Sequence, residues 1–255
     1  MGPFLSSVLM RLAFLPMRLT MDSSQYALAH GIRSTRATIE RWRSEEWRIL
    51  GSWLAGAAAI GLLLLGAVVA VASNVKPDIG FNYMPSALAG GAEAEHVARL
   101  VGRNSLVLAL HAVACVAGFI AGSALPLSTA SKRGISRWVH ERARPVALGW
   151  VVLVTTFSLI TQALALGIYG STLAYSAGIS PALLVLTVLP HALLELTAVF
   201  LPLAAWIIAR RRGEWDQLLA ATAVTVTVAF PMLIVSAIWE VEVWPELLRA
   251  VSPAA

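Results

Sequence analysis

The sequence has little charge for its length. Charged residues make up 13% of the 255 residues and hydrophobic residues 58%, with a mean hydropathy of +0.75. A soluble domain of this size carries more charge, so the composition predicts an integral membrane protein. The formal net charge of +5 would suggest a nucleic-acid partner for a soluble protein, but here the basic residues lie in short segments beside apolar runs. We therefore expect the lipid bilayer as a partner, and no nucleic acid.

A near absence of cysteine and of catalytic motifs limits the chemistry. Cys115 is the single cysteine and lies in an apolar run, which excludes an intrachain disulfide and a CxxC metal pair. There is no HExxH motif and no Walker lysine loop. Ser176 lies in an Ala-Tyr-Ser-Ala-Gly stretch. This stretch lacks the first glycine of the Gly-x-Ser-x-Gly motif, the nucleophile elbow of serine hydrolases. We expect no enzymatic activity, no catalytic residue, no metal site and no cofactor.

Long apolar runs dominate what the sequence does contain. Five of them approach the roughly 20 residues that a helix needs to cross a bilayer. They predict an all-α fold, a polytopic transmembrane helical bundle. It would comprise a cytoplasmic amphipathic and basic N-terminal region (1–46), a transmembrane domain (47–246) and a short tail (247–255). We place the spans at about 49–73, 105–127, 146–169, 182–209 and 217–239.

The basic residues indicate the orientation. Fifteen Lys and Arg fall before span one, between spans two and three or between spans four and five, and four fall on the opposite side. By the positive-inside rule the N-terminus is cytoplasmic and the C-terminus external. Seventeen arginines against two lysines, with much alanine, are typical of a high-GC genome, so we expect the bacterial plasma (inner) membrane. Six tryptophans flank the spans as interfacial anchors: Trp47, Trp53, Trp150, Trp206, Trp239 and Trp244.

Three segments outside the spans have amphipathic character. Residues 1–20 fit an interfacial helix or, equally, an unstructured leader. The external segment 74–104 is interrupted by proline and glycine and then predicts a short amphipathic helix from Glu93 to Arg103, a cap over the outer mouth. The basic stretch Lys132–Arg144 predicts a cytoplasmic helix near anionic lipid.

Small residues and prolines indicate where helices pack closely or open. Gly118 and Gly122 form a GxxxG spacing in span two, and span one has four glycines at five-residue intervals. Pro190 lacks a backbone donor, so we expect a freed carbonyl near Leu186, one turn earlier. An opened polar helix near the middle of a membrane is often a site.

His191 and Glu195 are the principal candidates for such a site. They directly follow Pro190 and lie four residues apart in span four, which places them on one helix face. A carboxylate near the bilayer centre costs on the order of 2.5 kcal/mol or more, so Glu195 should face protein or water. Two hypotheses stay open: a buried hydrogen-bonded pair that fixes how span four packs, or a site for a proton, an ion or a partner helix.

Four further polar residues are secondary candidates. His111 in span two either approaches His191 or bonds a backbone carbonyl. Glu240 and Glu242, at the outer end of span five, form an acidic rim or a docking surface for an external partner. Asn104 lies at the entry to span two.

The stretch Pro190–Ala198, with the sequence PHALLELTA, resembles the His-Gly-x-x-Glu-x-x-Ala motif of the stage II sporulation protein M family of bacterial membrane proteins. The resemblance covers residues 85 to 250, where three further stretches are similar to the family's pattern and occur in the same order along the chain. The family's glycine is Ala192 here, and its second asparagine is Ser105. The similar stretches are 102–105 (GRNS, for paired asparagines), 118–122 (a glycine-rich span) and 238–245 (IWEVEVWP, for a Glu-x-x-x-x-Pro ending).

The resemblance implies a non-enzymatic membrane scaffold that recruits partners into a cell-envelope complex. In sporulating relatives such a protein works with peptidoglycan-degrading enzymes during engulfment, so cell-wall hydrolases and other envelope proteins are the expected partners, beside self-association. The alternative is a permease-like subunit of a transporter that uses a separate ATPase, which polar intramembrane residues and proline-containing helices also suit.

Overall fold

A computed structural model describes residues 27–42, 46–78, 93–120 and 135–253. Within these ranges the chain forms seven α-helices and one 3₁₀ turn, and no strand. The all-α prediction is confirmed. The helices are α1 (Ala27–Trp42), α2 (Glu46–Asn74), α3 (Glu93–Phe119), α4 (Ile135–Ser176), α5 (Pro181–Arg212), α6 (Leu218–Glu242) and α7 (Trp244–Val251), with the 3₁₀ turn at Trp215–Gln217.

Five stretches of the described chain are long and apolar enough to cross a membrane, which confirms the predicted number of spans. Each exceeds the roughly 20 residues that the hydrocarbon core requires. The chain is thus a multi-pass helical membrane protein. The spans are Trp47–Asn74, Glu93–Phe119, Thr155–Ser176, Pro181–Arg212 and Trp215–Glu242.

Two amphipathic segments that the sequence analysis set apart from the spans are continuous with them. Glu93–Arg103 forms the first turns of α3, so the prediction of a separate short helix was wrong. No proline lies between Arg103 and the end of α3 at Phe119, and Gly102, where an added Cβ would meet open space, costs a helix only about 1 kcal/mol. Residues from Ile135 onward likewise belong to the 42-residue α4, which contains Pro145.

Several sequence predictions concern residues outside the described ranges. These are the interfacial helix or leader at 1–20, the proline- and glycine-rich part of the external segment (79–92), and Gly122 of the GxxxG spacing. Lys132 and Arg133 of the basic stretch also lie outside them.

The chain divides into two compact units. We call Met1–Trp53, Ala112–Val151 and Pro202–Thr227 the first unit. Leu54–His111, Val152–Leu201 and Val228–Ala255 form the second unit. Each of the five spans contributes residues to both units, except that Thr155–Ser176 belongs to the second alone.

The fourth span, α5, is the most buried of the five. Of its most apolar 18-residue window 67% is buried, against 22–39% for the others. Every residue from Leu196 to Trp206 is buried, so α5 is covered on all sides there. Its end is fixed by Gly213 at φ +74°, where Glu214 N–H bonds the Ala209 carbonyl and Gly213 N–H that of Arg210, a Schellman motif.

In the second unit, α7 packs against the turn between α4 and α5. Trp244 and Leu248 are buried in a cluster with Ala174, Ala177 and Leu184. The Ser252 hydroxyl donates to the Ala177 carbonyl at 2.7 Å, which ties the end of α7 to the end of α4. The residues predicted as a short tail from 247 therefore begin within a packed helix.

Glycines allow close helix approach in both units. In the second unit a Cβ at Gly61 would lie 3.1 Å from the Leu196 Cβ, and one at Gly167 would lie 3.2 Å from the Val68 carbonyl oxygen. In the first unit a Cβ at Gly118 would overlap the Trp206 indole. Gly118 is therefore needed for packing within its own unit.

The predicted tryptophan anchors differ in environment. Trp47 and Trp239 are exposed, as an interfacial anchor would be. Trp53, Trp206 and Trp244 are instead buried to 5% exposure or less and pack inside their units. The anchor prediction was wrong for these three because each ring faces neighbouring helices. The Trp150 side chain is outside what the structure describes.

Candidate functional site

The candidate site is a polar face of α5 in the second unit. Thr187, His191 and Glu195 follow one another at intervals of four residues, so they lie along one face of the helix. Thr187 and His191 are buried, and Glu195 is partly buried. The sequence prediction that His191 and Glu195 share a helix face therefore corresponds to a longer polar row.

Glu195 has its polar partners on two other helices. The Asn104 side-chain amide of α3 hydrogen-bonds the Glu195 carboxyl group, and Arg103 and Glu240 are its charged neighbours. Arg103 is also the charged neighbour of Glu240 on α6. We call Arg103, Asn104, Glu195 and Glu240 the carboxylate cluster. It brings together the principal candidate Glu195 and the secondary candidates Asn104 and Glu240.

Helix periodicity explains how α3 supplies two different partners. Asn104 is buried because it is in register with Leu108, His111 and Cys115, which are also buried at spacings of four, three and four residues. Arg103 precedes it by one position and is exposed. Its long aliphatic stem allows an exposed guanidinium to interact with a carboxyl group that is partly buried.

The carboxylate cluster contains more acidic than basic groups. Glu195 and Glu240 share the single guanidinium of Arg103, with the neutral amide of Asn104 as a further donor. When both carboxyl groups are ionised, the two negative charges face one positive charge, so the cluster has a net charge of −1. Removing charge from water is costly, so a proton, a cation or a cationic group of a partner is the chemistry that this arrangement favours.

His191 has surroundings different from those of Glu195. Its ring centroid lies 5.9 Å from that of Trp244, with the planes tilted by 56°. Trp244 Nε1 donates to the Thr187 hydroxyl at 3.2 Å, and Nδ1 of His191 is buried without a hydrogen-bond partner. The pair hypothesis from the sequence placed Glu195 against His191; in the structure the bond to Glu195 comes from Asn104 instead.

Pro190 leaves α5 unbroken. The helix continues from Pro181 to Arg212, and Pro190 is exposed. The predicted opening of the helix at this position is therefore not seen. A proline removes one backbone hydrogen bond from a helix. In a 32-residue helix the bonds of the neighbouring turns are enough to keep the helix continuous.

The other secondary candidates lie apart from the carboxylate cluster. Nδ1 of His111 donates to the Val107 carbonyl at 3.0 Å, and its ring meets the Phe200 ring edge-on at 5.3 Å. This is the backbone-bonded alternative for His111. Glu242, two residues beyond Glu240, is exposed.

Arg103 is the member of the cluster that the sequence analysis missed as a site residue. It entered only the count of basic residues and the GRNS stretch. The available signal was its place beside Asn104 at the start of an apolar run, because an intramembrane carboxylate requires a cation or donor nearby. Within the described ranges, no group of three or more His, Cys, Asp and Glu could hold a metal ion.

Comparison with known proteins gives no relative: no family model, no curated protein and no solved structure matches the chain.

Proposed function

We propose that this protein is a non-enzymatic membrane scaffold that recruits partners into a bacterial cell-envelope complex at the inner membrane. The observation that carries the proposal is the carboxylate cluster, in which Glu195 on the most buried span is bonded to Asn104 of α3 and lies near Arg103 of α3 and the like-charged Glu240 of α6. The resemblance of Pro190–Ala198 to stage II sporulation protein M supports the same role and suggests cell-wall hydrolases as partners.

The physical basis is that a charged intramembrane contact is specific. Apolar side chains pack against one another or against lipid at similar cost, whereas a carboxyl group in this environment is satisfied only where its donors lie. Glu195 therefore favours one arrangement of α5 against α3. A scaffold needs such a fixed arrangement, because its exposed residues must be presented to a partner in a constant geometry.

A permease-like subunit with a separate ATPase is the second candidate. The unequal charge of the carboxylate cluster favours it, because a proton or cation that offsets the extra carboxylate is also a species that a transporter moves. The scaffold is the better supported of the two, since the cluster links helices of the chain itself.

In-membrane crosslinking followed by mild-detergent purification and mass spectrometry tests the proposal. We compare wild type with Glu195→Gln, and use Glu242→Gln as the matched control because Glu242 is exposed and outside the cluster. We expect wild type and Glu242→Gln to retain envelope proteins, or a second copy of the chain, that Glu195→Gln loses. Stoichiometric recovery of a cytoplasmic ATPase would contradict the scaffold and favour the permease.

A further inference from the structure

The third span has an amide side chain near the middle of the membrane. The span Thr155–Ser176, the last part of α4, contains no charged residue, and Gln162 is its one carboxamide. At 1.5 Å per residue, Gln162 lies about 5 Å along the helix axis from the middle of this span. It is therefore at the depth of the hydrocarbon core.

The amide of Gln162 is only partly satisfied by its own helix. Nε2 donates to the Ser158 hydroxyl at 3.0 Å, one turn earlier. This bond uses one of the two N–H donors, and within the described ranges the second donor and the Oε1 acceptor have no partner. Lipid tails offer neither donor nor acceptor, so facing lipid with these two groups is costly.

The neighbouring Thr161 shows the contrast. Its hydroxyl donates to the Phe157 and Ser158 carbonyls of α4, at 2.9 Å in each case. A threonine that bonds its own helix in this way can face lipid without a further partner. Of these two adjacent residues, Gln162 is the one that requires a group from another helix.

The residues around Gln162 form a side of α4 that is suited to helix pairing. Ser158, Gln162 and Ala165 are spaced by four and three residues, which is the spacing of a heptad seam. Ala165 is exposed and the other two are partly exposed. The small side chains of Ser158 and Ala165 let a second backbone approach closely. Gly167, which is buried against Val71 of α2, lies on a different side of the helix.

The chemistry of the amide indicates what covers this side. A carboxamide is its own complement, because two of them form two reciprocal N–H···O bonds. Copies of one chain share one orientation in the membrane, so a two-fold axis along the membrane normal places the same residue of both copies at the same depth. A second copy thus supplies the acceptor and the donor that Gln162 lacks. The absence of charge from the span gives an ionic partner nothing to pair with.

We propose that the chain forms a parallel homodimer through Ser158, Gln162 and Ala165 of α4, with the two Gln162 amides hydrogen-bonded to each other. These residues lie outside the carboxylate cluster. The dimer is compatible with a scaffold and with a permease alike, so its test is independent of the proposed function.

Disulfide crosslinking of the full chain, in isolated membranes of cells that express it, tests the seam. Ala165→Cys is compared with Leu164→Cys, which is also exposed and at the same depth but lies about 100° around the helix. Cys115 is buried and stays in both variants. Because a disulfide needs Cα atoms within about 7 Å, we expect roughly tenfold more linked dimer for Ala165→Cys. Equal crosslinking would overturn the seam, and crosslinks of Ala165→Cys to a different protein alone would overturn the second copy as its occupant.

Gln162→Met tests the amide pair, and Thr161→Val is its matched control. Methionine keeps the length of the side chain without the amide, and valine keeps the shape of threonine without the hydroxyl. Both variants are checked for helical content and a single elution peak. Energy transfer between donor- and acceptor-labelled chains in phosphatidylcholine vesicles, over a range of protein-to-lipid ratios, then measures association.

We expect Gln162→Met to weaken association roughly tenfold, because hydrogen bonds between helices are lost. Thr161→Val should change it by less than about twofold, because its hydroxyl bonds its own helix. Association of Gln162→Met at the wild-type level, or an equal loss in the two variants, would overturn the amide pair.

Discussion

In the second unit a group of polar side chains surrounds a partly buried carboxyl group, whereas in the first unit a group of charged side chains lines a cavity. In the second unit Asn104, Arg103 and Glu240 surround Glu195. In the first unit three arginines and Glu214 line about 230 Å³ of space. The same residue types therefore appear in two arrangements, one around a partly buried carboxyl group and one around a cavity.

This difference predicts where a substitution changes stability strongly and where it changes stability little. A polar group bonded inside its unit leaves a partner unsatisfied when it is removed, which costs stability. An exposed charged side chain is solvated in the folded chain, so its removal costs little. The following experiments test that distinction, from the largest expected effect to the smallest.

Trp244→Ala should have the largest effect, because the second unit depends on internal contacts. Trp244 is 3% exposed, packs with Leu184 and Leu248, and donates to Thr187. We expect the free energy of unfolding in detergent to fall by about 3–5 kcal/mol. Trp239→Ala, at a ring that is 40% exposed, should change it by about 0.5 kcal/mol or less. Similar losses in the two variants would contradict the packed position of α7.

Asn104→Ala tests whether the Asn104 amide stabilises the second unit through Glu195. Without the amide, Glu195 loses its hydrogen bond, and we expect unfolding free energy to fall by about 1.5–3 kcal/mol. Asn74→Ala is the control, since Asn74 is exposed and its side-chain amide donates to the Ala70 carbonyl of its own helix.

A double-mutant cycle of Asn104→Ala with Glu195→Gln then isolates the pair. We expect a coupling of at least about 0.5 kcal/mol between the two residues. Strictly additive losses would mean that Asn104 does not serve Glu195, and the comparison between the units would lose its basis.

Gly118→Ala tests whether the first unit is tightly packed away from its cavity. A Cβ at this position overlaps the Trp206 indole, so we expect a loss of about 1–3 kcal/mol in unfolding free energy. Gly66→Ala places the same methyl group in open space and should stabilise by up to about 1 kcal/mol through helix propensity. An unchanged unfolding free energy in Gly118→Ala would show that the first unit is loosely packed at this position as well as at its cavity.

The fold class and the five spans could be predicted because they depend on composition and run length alone. Apolar runs of sufficient length become helices in a bilayer whatever their neighbours are. Glu195 could likewise be identified, because the cost of an intramembrane carboxylate is a property of one residue. The boundaries could not be predicted in the same way, because Glu93–Arg103 has the charge of a surface segment and still continues into α3.

The partners of each polar residue could not be predicted, because they depend on how helices rotate against one another. His191 is one turn from Glu195, yet its ring meets Trp244, which the sequence suggested was an interfacial anchor. Arg41, Arg48 and Arg212 were interpreted as topology signals, since about 160 residues separate the last two. Only the folded chain brings them to one cavity.

Arg212→Gln should have the smallest effect on stability and thereby distinguishes the two units most clearly. Arg212 is exposed, so we expect its loss to change the unfolding free energy of lipid-free protein by about 0.5 kcal/mol or less, well below the effect of Asn104→Ala. If Arg212→Gln instead destabilised the lipid-free protein as much as Asn104→Ala, its charge would already be paired within the chain.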